Sequence, residues 1–442
     1  MGTAYRFRAR GRAPRQLGAS TTLTCMKDVT WRDAGIRSPL LRGLNGIGAG
    51  AARFGLRWPS FAPDALLAAA RRETGLDDFG APSFRAGLEV LADSIEREGG
   101  LSAFGRIVVR AQLVDTLATR LRLLDWAKFH PEVEKERIER PWVILGLPRT
   151  GTTLLSFLLD LDPSNRSLLA WEARRPLPPP ELASVAEDPR IAETAKGIAG
   201  SDRLMPWLSA MHPMGATLPT ECVTLFMLAF QSLQIETQVR VPAYKAWLEQ
   251  ADMRPAFAIH RLVLQILQSR LPTERWALKT PQYLWCLPAL REAYPDARLV
   301  WTHRDPLPVI GSVASLNHAF YRTWATDPDP VATGAYWSEH VATAVERGLA
   351  FDARQGAQPW CHHLRYAELM QDPIRAVEAL YACFGEGVTP LHRRRMEAWM
   401  RDRPQSAFGR HRYDLADFGL SEEPLDAHFA AYRARFDVPR EW

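Results

Sequence analysis

A chain of 442 residues, 47% hydrophobic and 24% charged, is long enough for a large core and has the composition of an ordinary folded protein. Its formal net charge of +5 is small for that length, so it suits an anionic small molecule and argues against a nucleic-acid surface. No run approaches the roughly 18 apolar residues of a membrane span, so no transmembrane segment is expected. The opening MGTAYRFRARGRAPRQLG carries five arginines without an apolar stretch and does not read as a secretory signal.

Residues 1–25 are expected to be a disordered arginine-rich segment, with Met26 as an alternative start. Residues 26–140 are expected to be a helical N-terminal region packed on the core. Within it DALLAAARRETGL, FRAGLEVLADSIEREGG and LSAFGRIVVRAQLVDTLATRLRLLDWAKF repeat apolar residues at three- and four-residue steps. Gly99-Gly100 ends one helix, and Ser102 offers a cap for the next.

The pattern then changes. WVILG (142–146), WALKT (276–280) and ARLVWTHRD (297–305) are short apolar runs, each followed by a helix, and CHHLRYAEL (361–369) contains a further strand. They predict an α/β fold with a P-loop-like parallel sheet flanked by helices. Some 130 residues separate the first two strands, too many for a simple crossover. Residues 174–270 therefore read as a helical insert forming an acceptor lid, with Phe226, Phe230, Tyr244 and Trp247 as candidate walls of an apolar pocket. A tail spans 421–442.

Five cysteines without a C-x-x-C pair fit reduced thiols in the cytoplasm, and eleven histidines without H-E-x-x-H predict no metal centre. Only six of the 55 basic residues are lysines, so Lys279 at the end of an apolar run stands out. A buried ammonium is costly unless it meets an anion.

The segment GLPRTGTT (146–153) comes directly after the first strand. It keeps the glycine spacing and final hydroxyl of a phosphate loop, but Thr152 holds the lysine position and Arg149 is the loop's cation. The turn still aims amide groups and a helix N-terminus at an anion. Thr150, Gly151, Thr152 and Thr153 are candidate ligands, with Arg149 adding a fork for phosphate or sulfate oxygens. Asp305 stands where a magnesium-binding aspartate would, yet without the lysine the triphosphate machinery is incomplete.

With LAWE (169–172) beyond it, GLPRTGTTLL resembles the phosphosulfate loop of the sulfotransferases that use 3′-phosphoadenosine 5′-phosphosulfate (PAPS). Arg304 and Ser312, eight residues apart, match the family's pair for the 3′-phosphate. RYAELMQDP (365–373) resembles its adenine-side segment, placing Tyr366 there. GRHRYDLADFGL (409–420) resembles the segment that closes over the nucleotide, offering Arg410 and Arg412. The likeness is to the bacterial branch, near the tyrosylprotein-type enzymes in loop chemistry. It covers roughly residues 63–419, with 141–420 as the sulfotransferase domain.

The resemblance implies PAPS as co-substrate, adenosine 3′,5′-bisphosphate as product, a small-molecule acceptor and no metal. Arg149 and Lys279 are the expected stabilisers of the leaving group. Glu172 is the first candidate base, His212 the second and Glu221 the third, since an acceptor hydroxyl or amine needs a proton acceptor within reach. Many relatives carry histidine where this chain has Tyr283, a poor base at neutral pH. The competing readings are an ATP-dependent P-loop kinase with a degenerate lysine and a non-catalytic nucleotide-binding module.

Overall fold

Strands that are apolar along their whole length can only be buried on both faces, and parallel pairing covered by helices achieves this. The structure, a computed structural model, describes residues 28–212, 214–355, 360–402 and 411–441. The segment 1–25 and Arg410 lie outside them.

Among the described residues, five parallel strands form one sheet: β1 (Trp142–Gly146), β2 (Asn165–Ser167), β3 (Arg275–Lys279), β4 (Arg298–His303) and β5 (Cys361–Arg365). Their order is β2-β3-β1-β4-β5. Every residue of β1 is buried. The protein is therefore an α/β fold with a P-loop-like parallel sheet flanked by helices.

The edge strand β2 was not expected, because Asn-Arg-Ser is short and polar. It is held by side chains as much as by pairing: the Asn165 amide donates to the Leu159 carbonyl (2.8 Å) and the Tyr381 hydroxyl (3.1 Å). The run at 361–369 also divides, with the strand ending at Arg365 and Tyr366 opening a helix.

Among the described residues, four α-helices precede the sheet: α1 (Pro39–Ala52), α2 (Pro63–Thr74), α3 (Ser83–Glu98) and α4 (Ala103–Phe129). α5 (Thr152–Asp160) follows the loop after β1. Between β2 and β3 lie α6 (Ala170–Arg174), α7 (Pro189–Leu204), α8 (Leu208–Met211), α9 (Val223–Met227), α10 (Pro242–Leu248) and α11 (Arg254–Ser269). α12 (Leu287–Ala293) joins β3 to β4, and α13 (Pro306–Trp324) and α14 (Pro330–Asp352) join β4 to β5. α15 (Tyr366–Gln371), α16 (Pro373–Cys383), α17 (Pro390–Asp402) and α18 (Glu422–Phe436) complete the chain.

The aromatic residues of the insert are part of the core. Phe226, Phe230 and Tyr244 are fully buried in the main core, and Trp247 packs against it. The Tyr244 hydroxyl donates to the Phe230 carbonyl (3.0 Å) and the Phe226 ring meets Phe257 edge-on. Their periodicity reflects helix packing.

The N-terminal helices dock on this core through a buried arginine. Arg120 of α4 donates to the carbonyls of Phe79 (2.8 Å) and Leu228 (2.9 Å) and lies over the Phe84 ring. Burial lowers its pKa to about 10. Arg120→Met keeps much of the volume but strips both carbonyls of their donor, so it should lower the unfolding free energy by about 2–4 kcal/mol. Urea unfolding measures this; a loss below about 0.5 kcal/mol would rule out the docking role.

Candidate active site

The turn from β1 to α5 contains three residues at positive φ: Gly146 (140°), Arg149 (66°) and Gly151 (86°). A Cβ on Gly146 would lie 2.4 Å from Thr302 Oγ1, and one on Gly151 2.7 Å from Leu369 Cδ2, so both positions demand glycine. Arg149 takes the left-handed conformation with a full side chain, a strain of order 1 kcal/mol that persists only where the surroundings impose it.

Thr150 is buried, and its hydroxyl donates to the Leu147 carbonyl (2.7 Å) beside Thr302 Oγ1 (2.6 Å). It braces the turn. The first helical bond of α5 runs from the Leu155 amide to the Gly151 carbonyl. The amides of Thr152, Thr153 and Leu154 are thereby left at the positive end of the helix without helical acceptors.

The Arg149 side chain donates from Nε to Ser312 Oγ (3.1 Å) and from Nη1 to the Met211 carbonyl (2.9 Å). Among the described residues no carboxylate pairs with it. Burial holds its guanidinium below the ordinary arginine range, and neighbouring Arg304 acts in the same direction. Arg304, directly after β4, donates from Nη1 to the Arg149 carbonyl (2.9 Å) and stacks 4.1 Å above the Tyr366 ring. Tyr366 in turn lies against Gly151. The structure thus gathers Arg149, Gly151, Arg304, Ser312 and Tyr366 at the carboxyl ends of β1, β4 and β5.

A second group joins them from the insert. Lys279, at the end of β3 and only 3% exposed, donates from Nζ to Glu221 Oε1 (2.9 Å), whose side chain remains 27% exposed. The Cys222 amide donates to the Lys279 carbonyl (2.9 Å), fastening the insert to the strand end. Burial pushes the His212 imidazole down to about 4, against the nearby Glu221 charge and with those of Lys279 and Arg149. His212 is therefore neutral at pH 7.

Other candidates are engaged elsewhere. Glu172 is buried, accepting from Arg166 Nη2 (2.8 Å) through one oxygen and from the Leu169 amide (3.1 Å) through the other. Both its oxygens are committed, one to an ion pair and one to capping α6. Arg412 turns outward to Asp28 (2.6 Å). Tyr283 is buried with its hydroxyl 3.1 Å from His260 Nε2, and burial raises its pKa well above the ordinary value. Asp305 accepts from the Leu307 and Glu441 amides, capping α13. A cavity of about 450 Å³, bordered by Glu236, Glu249, Trp285 and His340, stands apart, with none of the clustered residues in its lining.

Sequence reading missed three neighbours of the cluster. His411 Nε2 lies 2.8 Å from Ser315 Oγ, and Tyr413 packs against Gly311, both on α13. They belong to the segment spelled GRHRYDL, where the arginines carry the sequence signal. Glu441 pairs with Arg304 (2.7 Å), and nothing in its local sequence signals this.

A family model described as the sulfotransferase family matches residues 141–390. The curated omega-hydroxy-beta-dihydromenaquinone-9 sulfotransferase Stf3 of Mycobacterium tuberculosis is 27% identical over 277 residues, 59% of this chain and 67% of that protein. Among solved structures, sulfotransferase STF9 from Mycobacterium avium superposes with a TM-score of 0.80 at 31% identity, covering 86% of this chain and 98% of that one. Sulfotransferase STF1 from Mycobacterium tuberculosis H37Rv gives 0.76 at 31% identity, covering 84% and 98%.

The Arg166–Glu172 pair yields a direct test of the role of Glu172. Glu172→Gln should cost about 2–4 kcal/mol of stability, because it leaves a buried guanidinium without its charge partner. Turnover per folded molecule should stay within about threefold. A hundredfold fall in turnover at unchanged stability would mark Glu172 as a base instead.

Proposed function

The chain belongs to the sulfotransferase family, and from that premise we propose that it transfers a sulfuryl group from PAPS to a hydroxyl or amine of an apolar small molecule. One observation carries the donor assignment. Arg149 and Arg304 meet across the carboxyl ends of β1 and β4, next to the uncapped amides of α5. Two adjacent anion-binding elements suit a nucleotide phosphorylated at both its 5′ and 3′ positions.

The cradle fits such a ligand. Gly146 and Gly151 leave no room for side chains, and desolvated Arg149 donates to a hydroxyl and a carbonyl, with no carboxylate paired to it among the described residues. In this reading Arg149, Gly151, Thr152 and Thr153 hold the 5′-phosphosulfate, Arg304 and Ser312 the 3′-phosphate, and Tyr366 borders the adenine. Thr152 in place of the phosphate-loop lysine favours this donor over a triphosphate.

PAPS supplies a sulfuryl group on a phosphate leaving group. As the acceptor oxygen or nitrogen bonds to sulfur, the bridging S–O bond breaks and adenosine 3′,5′-bisphosphate departs. Arg149 and Lys279 offset the charge that grows on the departing phosphate. The acceptor's proton passes to the insert side, where Glu221 is partly exposed and His212 is neutral. Glu221 takes precedence over Glu172, whose oxygens are both occupied.

The hydroxylated quinone in the name of relative Stf3 supports a hydroxyl on an apolar body as the acceptor. Free thiols at Cys222, Cys286, Cys361 and Cys383 are in keeping with a reaction in the cytoplasm. Among the described residues no helix is long and apolar enough to cross a membrane.

Adenosine 3′,5′-bisphosphate should raise the melting temperature without Mg²⁺, and Mg-ATP should raise it less. A shift seen with Mg-ATP alone would refute the donor assignment. In turnover assays with PAPS and a panel of apolar alcohols, Glu221→Gln should lower kcat about 10²- to 10³-fold while bisphosphate affinity changes less than about threefold. Full activity in that variant would pass the proton role to His212, tested in the same way by His212→Ala.

A further inference from the structure

The arginine assigned above to the 3′-phosphate already holds an anion. Arg304 Nε donates to both oxygens of Glu441 (2.9 and 3.1 Å), and Nη2 donates to Oε2 (2.7 Å). This two-pronged contact is the one by which a guanidinium takes a phosphate. The remaining Nη1 is tied to the Arg149 carbonyl, and the guanidinium plane to the Tyr366 ring. Glu441 thus covers the edge of Arg304 on which a phosphate would sit.

The glutamate is delivered by an anchored tail. Tyr432 and Phe436 of α18 pack on His303, with the Tyr432 hydroxyl 2.9 Å from its Nδ1. Val438 is buried, and its amide donates to the Arg433 carbonyl (3.0 Å). The Glu441 amide itself donates to Asp305 Oδ2 (3.0 Å). Because these contacts are made by backbone and by α18, rotation of the Glu441 side chain alone would release Arg304.

We propose that Glu441 is an internal anion that occupies the 3′-phosphate position and sets donor affinity and selectivity by having to be displaced. The proposal rests on the donor-site reading above. Without ligand, Arg149 and Arg304 set two like charges side by side, and the carboxylate neutralises one of them. A dianionic phosphate with three acceptor oxygens can outcompete a single carboxylate for that fork. A nucleotide lacking the 3′-phosphate leaves Glu441 in place and gains nothing from Arg304.

Calorimetric titration of adenosine 3′,5′-bisphosphate and of adenosine 5′-phosphate into wild type, Glu441→Gln, Glu441→Ala and Arg304→Ala separates the possibilities. Both Glu441 variants should bind the bisphosphate roughly three- to tenfold more tightly and the 5′-phosphate within about twofold of wild type. Arg304→Ala should weaken the bisphosphate about tenfold or more. If Arg304→Ala weakens binding but neither Glu441 variant tightens it, the displacement idea fails and the donor site stands. Equal tightening of both ligands would likewise overturn competition at the 3′ position. Unchanged bisphosphate binding in Arg304→Ala would overturn the donor-site reading and the displacement of Glu441 with it.

Discussion

An arginine drawn out of water, with no carboxylate to meet it among the described residues, is the constraint around which this site is arranged. Arg149 sits in a left-handed backbone, and its guanidinium meets Ser312 and the Met211 carbonyl, two neutral acceptors. Hydrogen bonds of this kind satisfy donors but leave the charge uncompensated. The geometry is tolerable only because the turn is braced on all sides. Thr150 ties to Thr302, Gly151 abuts Leu369 and Tyr366, and Arg304 grips the Arg149 carbonyl. Under the proposed function, the donor's 5′-phosphosulfate is the anion that this arrangement would meet.

The parallel sheet explains how residues far apart in sequence reach that point. The loop of Arg149 follows β1, Lys279 ends β3, Arg304 follows β4 and Tyr366 follows β5. The chain leaves β1 toward one edge of the sheet and β4 toward the other, the switch point beside which α/β sheets characteristically hold ligands. α13 then runs back from β4, so Ser312, two turns along it, faces the β1 loop. The Arg304–Ser312 spacing is thus a helical consequence: one residue precedes the helix and the other sits on its near face.

What was legible in the sequence was what local physics writes locally. Three strands with continuous apolar runs, the glycine turn, and the Ser102 cap, which accepts from the Gly105 amide (3.1 Å), all depend on neighbours within a few residues. The rest depended on distant partners. β2 has no apolar signature, because Asn165 is satisfied by Leu159 and Tyr381. Glu172 read as a candidate base, or as an ion-pair partner of Arg174 or Arg175. Its partner is Arg166, brought round by β2 rather than by the adjacent Arg174 or Arg175. The insert's aromatic residues matched an apolar pocket as well as they matched a core, and composition cannot separate those two. Glu441 was invisible for the same reason as Arg166: its meaning lies in what α18 sets it beside.

Donor-side groups come from the strand ends, whereas His212 and Glu221 come from the insert. The two sets are joined at few points: the Cys222 amide on the Lys279 carbonyl, the Lys279–Glu221 pair and Arg149 on Met211. Lys279 belongs to both, since it is fixed to the sheet by its backbone and to the insert by its ammonium. Under the proposed chemistry that position lets one cation serve the leaving phosphate while holding the Glu221 carboxylate in place. Changes in the insert would then redirect acceptor choice without disturbing the donor cradle, provided the Lys279–Glu221, Cys222–Lys279 and Arg149–Met211 contacts are kept.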